Sequence, residues 1–210
     1  MHHAAAAAIT VAVLALSGPA RCAEPGAESG GPWSFSLTGF YYFPRQGDNF
    51  GLAIGQARQD LLLLEARYNY EALDTGSLWV GRTFAGGEAL TWEVTPMVGA
   101  VFGELTGAAP GVEASLAWRK LDFYIEAEYV FDFDSQDNNF FYAWSELGYS
   151  PFEWLRLGLV VQRTQLYRSD LDLQRGPFVQ FTLGKAVLGF YAFNLGSDDQ
   201  VAIVSLAVSF

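Results

Sequence analysis

The sequence predicts an all-β chain that folds as a closed, antiparallel, up-and-down barrel of about twelve strands, with ten as the alternative count. Three observations predict this fold. From residue 33 onward, apolar and polar side chains alternate with a period of two, which is the spacing of a strand with two different faces. The connections between these segments are alternately short and long, and aromatic residues cluster where segments meet connections.

The N-terminal segment has the features of an export signal rather than of the fold. Residues 4–16 are an apolar stretch with Thr10 as its single polar residue, as in the core of a secretory signal, and small residues near Cys22 permit cleavage there. We therefore predict a signal peptide over 1–22, a short polar periplasmic linker over 23–32 and the barrel over 33–210. The alternative is that the apolar segment stays in the mature chain as a helix.

The strands are predicted in order from the alternation. Their ranges are 33–43, 49–57, 60–71, 77–84, 89–103, 111–119, 121–132, 140–149, 154–166, 172–183, 186–194 and 200–210. The clearest is 121–132, where Ile125 and its apolar partners alternate with Glu126 and Glu128. The weakest is 49–57, and without it there would be eleven strands, so that the two chain ends could not lie on the same side.

The predicted connections fall into two classes. One side has tight links at 57–59, 85–88, 119–120, 150–153 and 184–185, whereas the other has longer, acidic links at 72–76, 104–110, 133–139, 167–171 and 195–199. Short turns on one side and longer loops on the other are typical of transmembrane barrels.

Composition excludes several other classes. The net charge of −11 disfavours a nucleic-acid partner, because phosphate binding needs the opposite sign. An aromatic fraction of 16% with only 17% charged residues is incompatible with disorder. Beyond residue 23, no apolar run approaches the roughly 18–20 residues that a spanning helix requires.

Aromatic residues are predicted to form two belts at the membrane–water boundaries. The long-loop belt comprises Tyr41, Phe43, Tyr68, Tyr70, Tyr129, Phe131, Phe140, Phe141 and Tyr167, and the short-turn belt comprises Trp92, Trp118, Phe123, Tyr149, Phe152 and Trp154. The alternative, a soluble β-sandwich with these rings in its core, explains the alternation but not the two belts.

The final strand carries a resemblance to a known class. It alternates apolar residues and ends in Phe210, and in this respect the chain over 33–210 resembles bacterial outer-membrane β-barrel proteins. The resemblance implies the outer membrane of a Gram-negative bacterium as location and outer-membrane lipid as a partner. It also implies that Phe210 is the signal by which the barrel-assembly machinery recognises the C-terminal strand.

The inward faces of the strands carry the candidate functional residues. The predicted pore-lining residues are Glu65, Arg67, Asn69, Glu71, Glu93, Glu113, Arg119, Asp122, Tyr124, Glu126, Glu128, Tyr142, Trp144, Glu146, Arg156 and Gln162. Eight of them are acids and three are arginines, which favours cations or neutral solutes over anions in the lumen.

Catalysis and metal binding have little support in the sequence. His2 and His3, the two histidines, lie in the predicted signal, so the mature chain lacks the usual general base near neutral pH. Glu126 and Glu128 could form an acid–base pair, but balancing arginines across the barrel is the better interpretation. The segment 132–137 begins like a calcium loop but lacks its glycine and its final glutamate. We predict no enzyme, cofactor or metal site.

The sequence therefore predicts a small channel for the passive or ligand-selective passage of small neutral or cationic solutes. Twelve strands leave interior space, and no predicted segment is long enough to plug it. The alternative is a structural barrel, an anchor or a surface-recognition scaffold without transport. We predict a monomer, because trimeric porins usually have more strands and a constriction loop.

Overall fold

The computed structural model describes residues 31–166 and 172–210 as one sheet of antiparallel strands. The strands are β1 (Ser34–Pro44), β2 (Phe50–Gln59), β3 (Leu62–Tyr68), β4 (Thr75–Arg82), β5 (Phe84–Gly86), β6 (Leu90–Gly103), β7 (Gly107–Trp118), β8 (Leu121–Asp132), β9 (Phe140–Phe152), β10 (Leu155–Leu166), β11 (Asp172–Leu183), β12 (Ala186–Phe193) and β13 (Val201–Ser209). The predicted signal peptide, most of the linker and the connection 167–171 lie outside the described residues.

The sheet closes on itself through two pairings. Consecutive strands pair along the chain except that β4 pairs with β6 instead of β5, and β1 pairs with β13. The three-residue strand β5 continues the line of β4 beyond Thr83 and also pairs with β6, so the two segments form one position in the wall. The described residues thus form a closed barrel of twelve strand positions, as predicted, and the ten- and eleven-strand alternatives are wrong.

The start of β1 and the end of β13 lie at the same end of the barrel, because the number of strand positions is even. The turns at this end, which we call the short-turn end, are 60–61, 87–89, 119–120, 153–154 and 184–185. The opposite, long-loop end carries 45–49, 69–74, 104–106, 133–139 and 194–200 in the described residues. The predicted asymmetry is present, except that 104–106 has only three residues because β7 begins at Gly107 rather than at residue 111.

One strand is shorter than predicted for a local reason. The prediction extended β3 to residue 71, but β3 ends at Tyr68 because Asn69 adopts a φ of 58°, which no strand residue has. Asn69 Nδ2 donates to the Gly51 carbonyl (3.0 Å), and Asn69 Oδ1 accepts from the Asp74 amide (2.8 Å). The Asn69 side chain therefore fixes a turn where the alternation alone suggested continued strand.

The outer surface of the barrel is apolar. Leu78, Val98 and Leu159 are more than half exposed to the surroundings, and similar side chains surround the wall. A monomer in water rarely exposes so large an apolar surface, whereas a barrel with no free edge can place it against lipid. In residues 31–166 and 172–210, no helix has the length and apolarity to cross a membrane.

Most of the predicted belt residues occupy the rims of this surface. Tyr41 and Phe43 contact edge to face at 4.9 Å near the long-loop end, and Phe152 stacks on Trp154 at 5.5 Å near the short-turn end. Tyr70 and Phe140 were wrongly assigned to the belt, because both side chains are buried inside the barrel. Tyr167 lies outside the described residues.

Candidate functional site: the barrel interior

The interior wall carries charged groups arranged around three arginines. In the described residues, Arg67 is surrounded by Glu65, Glu71, Glu126 and Glu128, Arg58 by Glu93 and Glu113, and Arg156 by Asp122 and Glu146. All eight carboxylates that the sequence predicted for the lumen belong to one of these groups. Eight acids therefore face three arginines, and five negative charges remain if all of them are ionised.

Arg67 bridges the interior from one wall to another. It projects from β3, and its guanidinium lies 2.7 Å from Glu126 and 2.8 Å from Glu128 on β8, four wall positions away. Its Nε also contacts Glu65 on its own strand. The Arg67 side chain is 1% exposed, so these contacts cross the barrel in a closely packed region.

Aromatic rings enclose the same guanidinium. Its central carbon lies 4.1 Å from the ring centre of Tyr70 and 4.4 Å from that of Trp79, within the range of a cation–π interaction. Gly99 makes room for Trp79, because a Cβ on residue 99 would lie 2.4 Å from the indole ring. The flat guanidinium of Arg67 is therefore held both by carboxylates and by the faces of aromatic rings.

Glu71 reaches this group from the loop between β3 and β4. It accepts hydrogen bonds from Ser77 Oγ at 2.5 Å and Trp79 Nε1 at 3.2 Å, and it lies 3.8 Å from Arg67 Nη1. Burial raises the pKa of the Glu71 carboxyl, and the Arg67 charge and these hydrogen bonds oppose that rise. Its proton is therefore held more tightly than on an exposed glutamate.

The second group lies closer to the short-turn end. Arg58 contacts Glu113 at 3.1 Å and Glu93 at 3.3 Å. Gln56 connects this group to the first, because its amide nitrogen contacts both Glu65 and Glu113. A polar network therefore runs along the interior from the loop end toward the turn end.

The third group stands on the opposite wall. Arg156 contacts Glu146 at 2.6 Å, Gln180 at 3.0 Å and Asp122 through two nitrogens. Gly148 lies between these partners, and a Cβ there would come within 2.5 Å of Arg156 Nε. Arg156 and Asp122 also border a cavity of about 300 Å³ at the short-turn end, which forms a vestibule below the buried network.

Aromatic side chains fill the rest of the interior near mid-height. Trp144 packs edge to face against Tyr191 at 5.6 Å and Phe193 at 5.5 Å, and Tyr191 also contacts Phe178 on β11. Trp144 Nε1 donates to Glu146 at 3.0 Å, which joins this cluster to the Arg156 group. Trp144 and the Arg67 group together narrow the lumen to a closely packed region.

The structure places the predicted pore-lining residues in two kinds of position. The side chains that point inward from strands or from the adjoining loop are Glu65, Arg67, Glu71, Glu93, Glu113, Asp122, Tyr124, Glu126, Glu128, Tyr142, Trp144, Glu146, Arg156 and Gln162. Two others lie in turns and not on the inner wall. Asn69 holds the β3–β4 turn, and Arg119 has a φ of 58° in the two-residue turn after β7, with its guanidinium over Trp118.

Several interior residues were missed by the sequence analysis. Trp79 and Tyr191 point inward from β4 and β12, strands whose register the alternation left ambiguous. Arg58 and Gln56 come from β2, the weakest predicted strand. The interior still contains three arginines, because Arg58 points inward and Arg119 does not.

The loop that begins like a calcium site uses its first carboxylate for its own backbone. Asp132 Oδ1 accepts from the Asp134 amide at 2.7 Å, and Asp132 Oδ2 accepts from Asn138 Nδ2 at 2.7 Å. Across residues 31–166 and 172–210, no group of three or more acidic, histidine or cysteine side chains is arranged to hold a metal ion.

Phe210 follows the strand that closes the barrel. Its side chain is 67% exposed, and its backbone amide donates to the Phe35 carbonyl at 2.9 Å. Its ring therefore contributes little to the interior and stays accessible at the short-turn end.

The chain was compared with known proteins by sequence and by structure. No protein-family model matches it, and no curated protein matches it in sequence. The solved structure of the KdgM porin covers 83% of this chain and 99% of its own, with 10% identity and a TM-score of 0.61. A second structure, KdgM porin in complex with disordered oligogalacturonate, gives the same coverage with 8% identity and a TM-score of 0.62.

A third solved structure belongs to the outer membrane protein Omp33 of Acinetobacter baumannii, which covers 85% of this chain and 98% of its own with 13% identity and a TM-score of 0.48. The KdgM likeness, the closed sheet and the apolar outer surface indicate the same fold. The chain has the closed twelve-strand β-barrel fold of the KdgM porin structure.

Proposed function

We propose that the protein is an outer-membrane channel for small neutral or cationic solutes. The observation that carries the proposal is the interior wall, where eight carboxylates face three arginines. Burying ionised groups in a dry core costs more than packing apolar ones of the same volume. A charged inner wall is therefore expected where water and solutes pass rather than in a dry core.

The surplus of acid supports the preference for cations. With every arginine paired, five carboxylates still set the potential that a solute meets, and low-dielectric walls concentrate that field. Oligogalacturonate, the molecule present with KdgM in one solved structure, is an acidic oligosaccharide. The same field repels such a polyanion, so we propose a different cargo for this chain.

Passage requires side chains to move. The contacts of Arg67 and Trp144 occupy the region near mid-height, and both side chains are almost completely buried. We therefore propose a small, intermittent conductance rather than a wide open pore. The 300 Å³ vestibule at the short-turn end gives solutes room beside this constriction.

A structural barrel without transport is the second candidate. The same cross-lumen contacts favour it, since ion pairs and stacked rings that join opposite walls would stiffen a barrel. The short loops offer little surface for a partner, which argues against adhesion. Catalysis is not supported, because Glu126 and Glu128 both contact Arg67 and no histidine lies beyond residue 3.

We further propose Gram-negative origin, export by the N-terminal signal, assembly through Phe210 and a monomeric state. Outer-membrane lipid, the barrel-assembly machinery and small solutes are the proposed partners, and nucleic acid is not among them.

Single-channel recording in planar lipid bilayers tests the channel against the structural barrel. We expect a small conductance from the parent protein and a larger one from Trp144→Ala, which removes a ring from the constriction. Trp154→Ala removes the same side chain from the outer surface, where Trp154 is 52% exposed, and should leave the conductance unchanged. Silence of the parent and of Trp144→Ala at every voltage would establish the structural barrel instead.

A further inference from the structure

Three buried oxygen atoms in the long-loop half of the lumen have no hydrogen-bonding partner among the described residues. They are Glu128 Oε1 and the hydroxyl oxygens of Tyr142 and Tyr42. Glu128 and Tyr142 are directly paired across β8 and β9 with both side chains inward, and Tyr142 is close enough to Tyr42 and Glu128 for electrostatic interaction. Buried polar atoms are normally hydrogen-bonded, so three in one region indicate a site for a donor group.

The charge of the surrounding region indicates that the donor group is positively charged. Four carboxylates share Arg67 alone, so three of the five surplus negative charges lie in this one group. The unpartnered Glu128 oxygen of an ionised carboxylate is an acceptor only, whereas each hydroxyl can accept as well as donate. A cationic group with several N–H donors satisfies both the charge and the oxygens.

The aromatic surroundings restrict the class further. Tyr70 and Tyr142 meet edge to face at 5.9 Å beside these atoms, and Tyr70 already covers the Arg67 guanidinium at 4.1 Å. Ring faces attract ammonium and guanidinium groups, and they favour organic cations over small, strongly hydrated metal ions.

We infer that the loop-side lumen contains a binding site for the primary ammonium group of a small organic solute, formed by Glu128, Tyr142 and Tyr42. This inference rests on the proposed function, because it names the class of cation that the channel selects. An ammonium group has three donors for the three oxygens. It enters from the long-loop end, since Tyr42 and Tyr142 each stand two residues from the loop-side end of their strands.

The probe is n-propylammonium chloride, titrated calorimetrically into the mature protein folded in detergent micelles at fixed ionic strength. Tetramethylammonium and sodium chlorides carry the same charge without the N–H donors of a primary ammonium group. We expect saturable binding of propylammonium and no saturable binding of the other two. Glu128→Gln should weaken it about tenfold or more, the loss of one charge-assisted hydrogen bond.

Two further variants make the result decisive. Tyr142→Phe keeps the ring and removes the hydroxyl, so it should weaken binding even if Glu128→Gln does not fold. Glu93→Gln removes one lumen carboxylate from the Arg58 group and should retain the affinity. Equal responses to all three cations, or full affinity in both Glu128→Gln and Tyr142→Phe, would overturn the site. Calorimetry requires no current, so binding in a protein that is silent in bilayers would refute the channel and leave the site intact.

Discussion

Replacing Arg67 by methionine tests the ionic network in the barrel interior. The variant keeps most of the aliphatic stem and removes the cation that Glu65, Glu71, Glu126 and Glu128 share. Breaking a buried ion pair by removing one partner costs about 3–5 kcal/mol of stability. A second calculation gives a similar value. If one of the four carboxyls takes up a proton on folding to replace the lost positive charge, and its ordinary pKa is about 4.3, that uptake costs about 3.7 kcal/mol at pH 7.

The same calculation predicts the pH dependence. At pH 5, taking up that proton costs only about 1 kcal/mol, so most of the destabilisation by Arg67→Met should disappear between pH 7 and pH 5. The assay is urea unfolding of the refolded barrel in lipid vesicles, followed by tryptophan fluorescence. The matched control is Arg45→Met, because Arg45 pairs with Asp198 at 4.0 Å on the exposed loop side and should contribute at most about 1 kcal/mol. If Arg67→Met is no less stable than Arg45→Met at pH 7, the interior network does not stabilise the barrel.

Three other perturbations test separate parts of the structure. Leu157→Arg places a charge on the lipid face and should reduce the free energy of unfolding in vesicles by about 2–4 kcal/mol, and an unchanged value would place Leu157 in water. Gly148→Ala puts a Cβ within 2.5 Å of Arg156 and should lower the urea midpoint of unfolding, whereas an unaltered midpoint would show that Arg156 relocates without loss. Deletion of Phe210 should impair insertion in cells more than refolding in detergent, because its ring is exposed, and equal loss in both assays would make it a packing residue only.

Much of the fold could be predicted, because the alternation of apolar and polar residues indicates both where a strand lies and which of its faces points inward. Glu126 and Glu128 alternate with Ile125 and its apolar neighbours, so β8 was predicted with its observed bounds, and the structure places both acids inside. The signal fails in β4, where polar and apolar residues occur on both faces. Trp79 is buried inside while Leu78, next to it, is 57% exposed, and hydrophobicity alone cannot distinguish the two.

The candidate site was predictable in its composition but not in its pairing. Alternation identified the acids, yet the contact of Arg67 with β8 depends on the curvature of the closed wall, which no local pattern encodes. Arg119 was assigned to the lumen by extending the alternation one residue past Trp118, where the chain instead turns. Turn residues with positive φ are usually glycine or asparagine, so an arginine there gave no warning.

The reversal potential across a salt gradient in planar bilayers tests the central claim most directly, that surplus acid in the lumen selects for cations. The parent should show a reversal potential of the sign for cation preference, and the preference should weaken as salt rises and screens the carboxylates. Replacing Glu126 and Glu128 together by glutamine should reduce it while the barrel stays folded, because glutamine keeps the volume and hydrogen-bonding capacity. Anion selectivity in the parent, or a preference that the double variant leaves unchanged, would contradict the account.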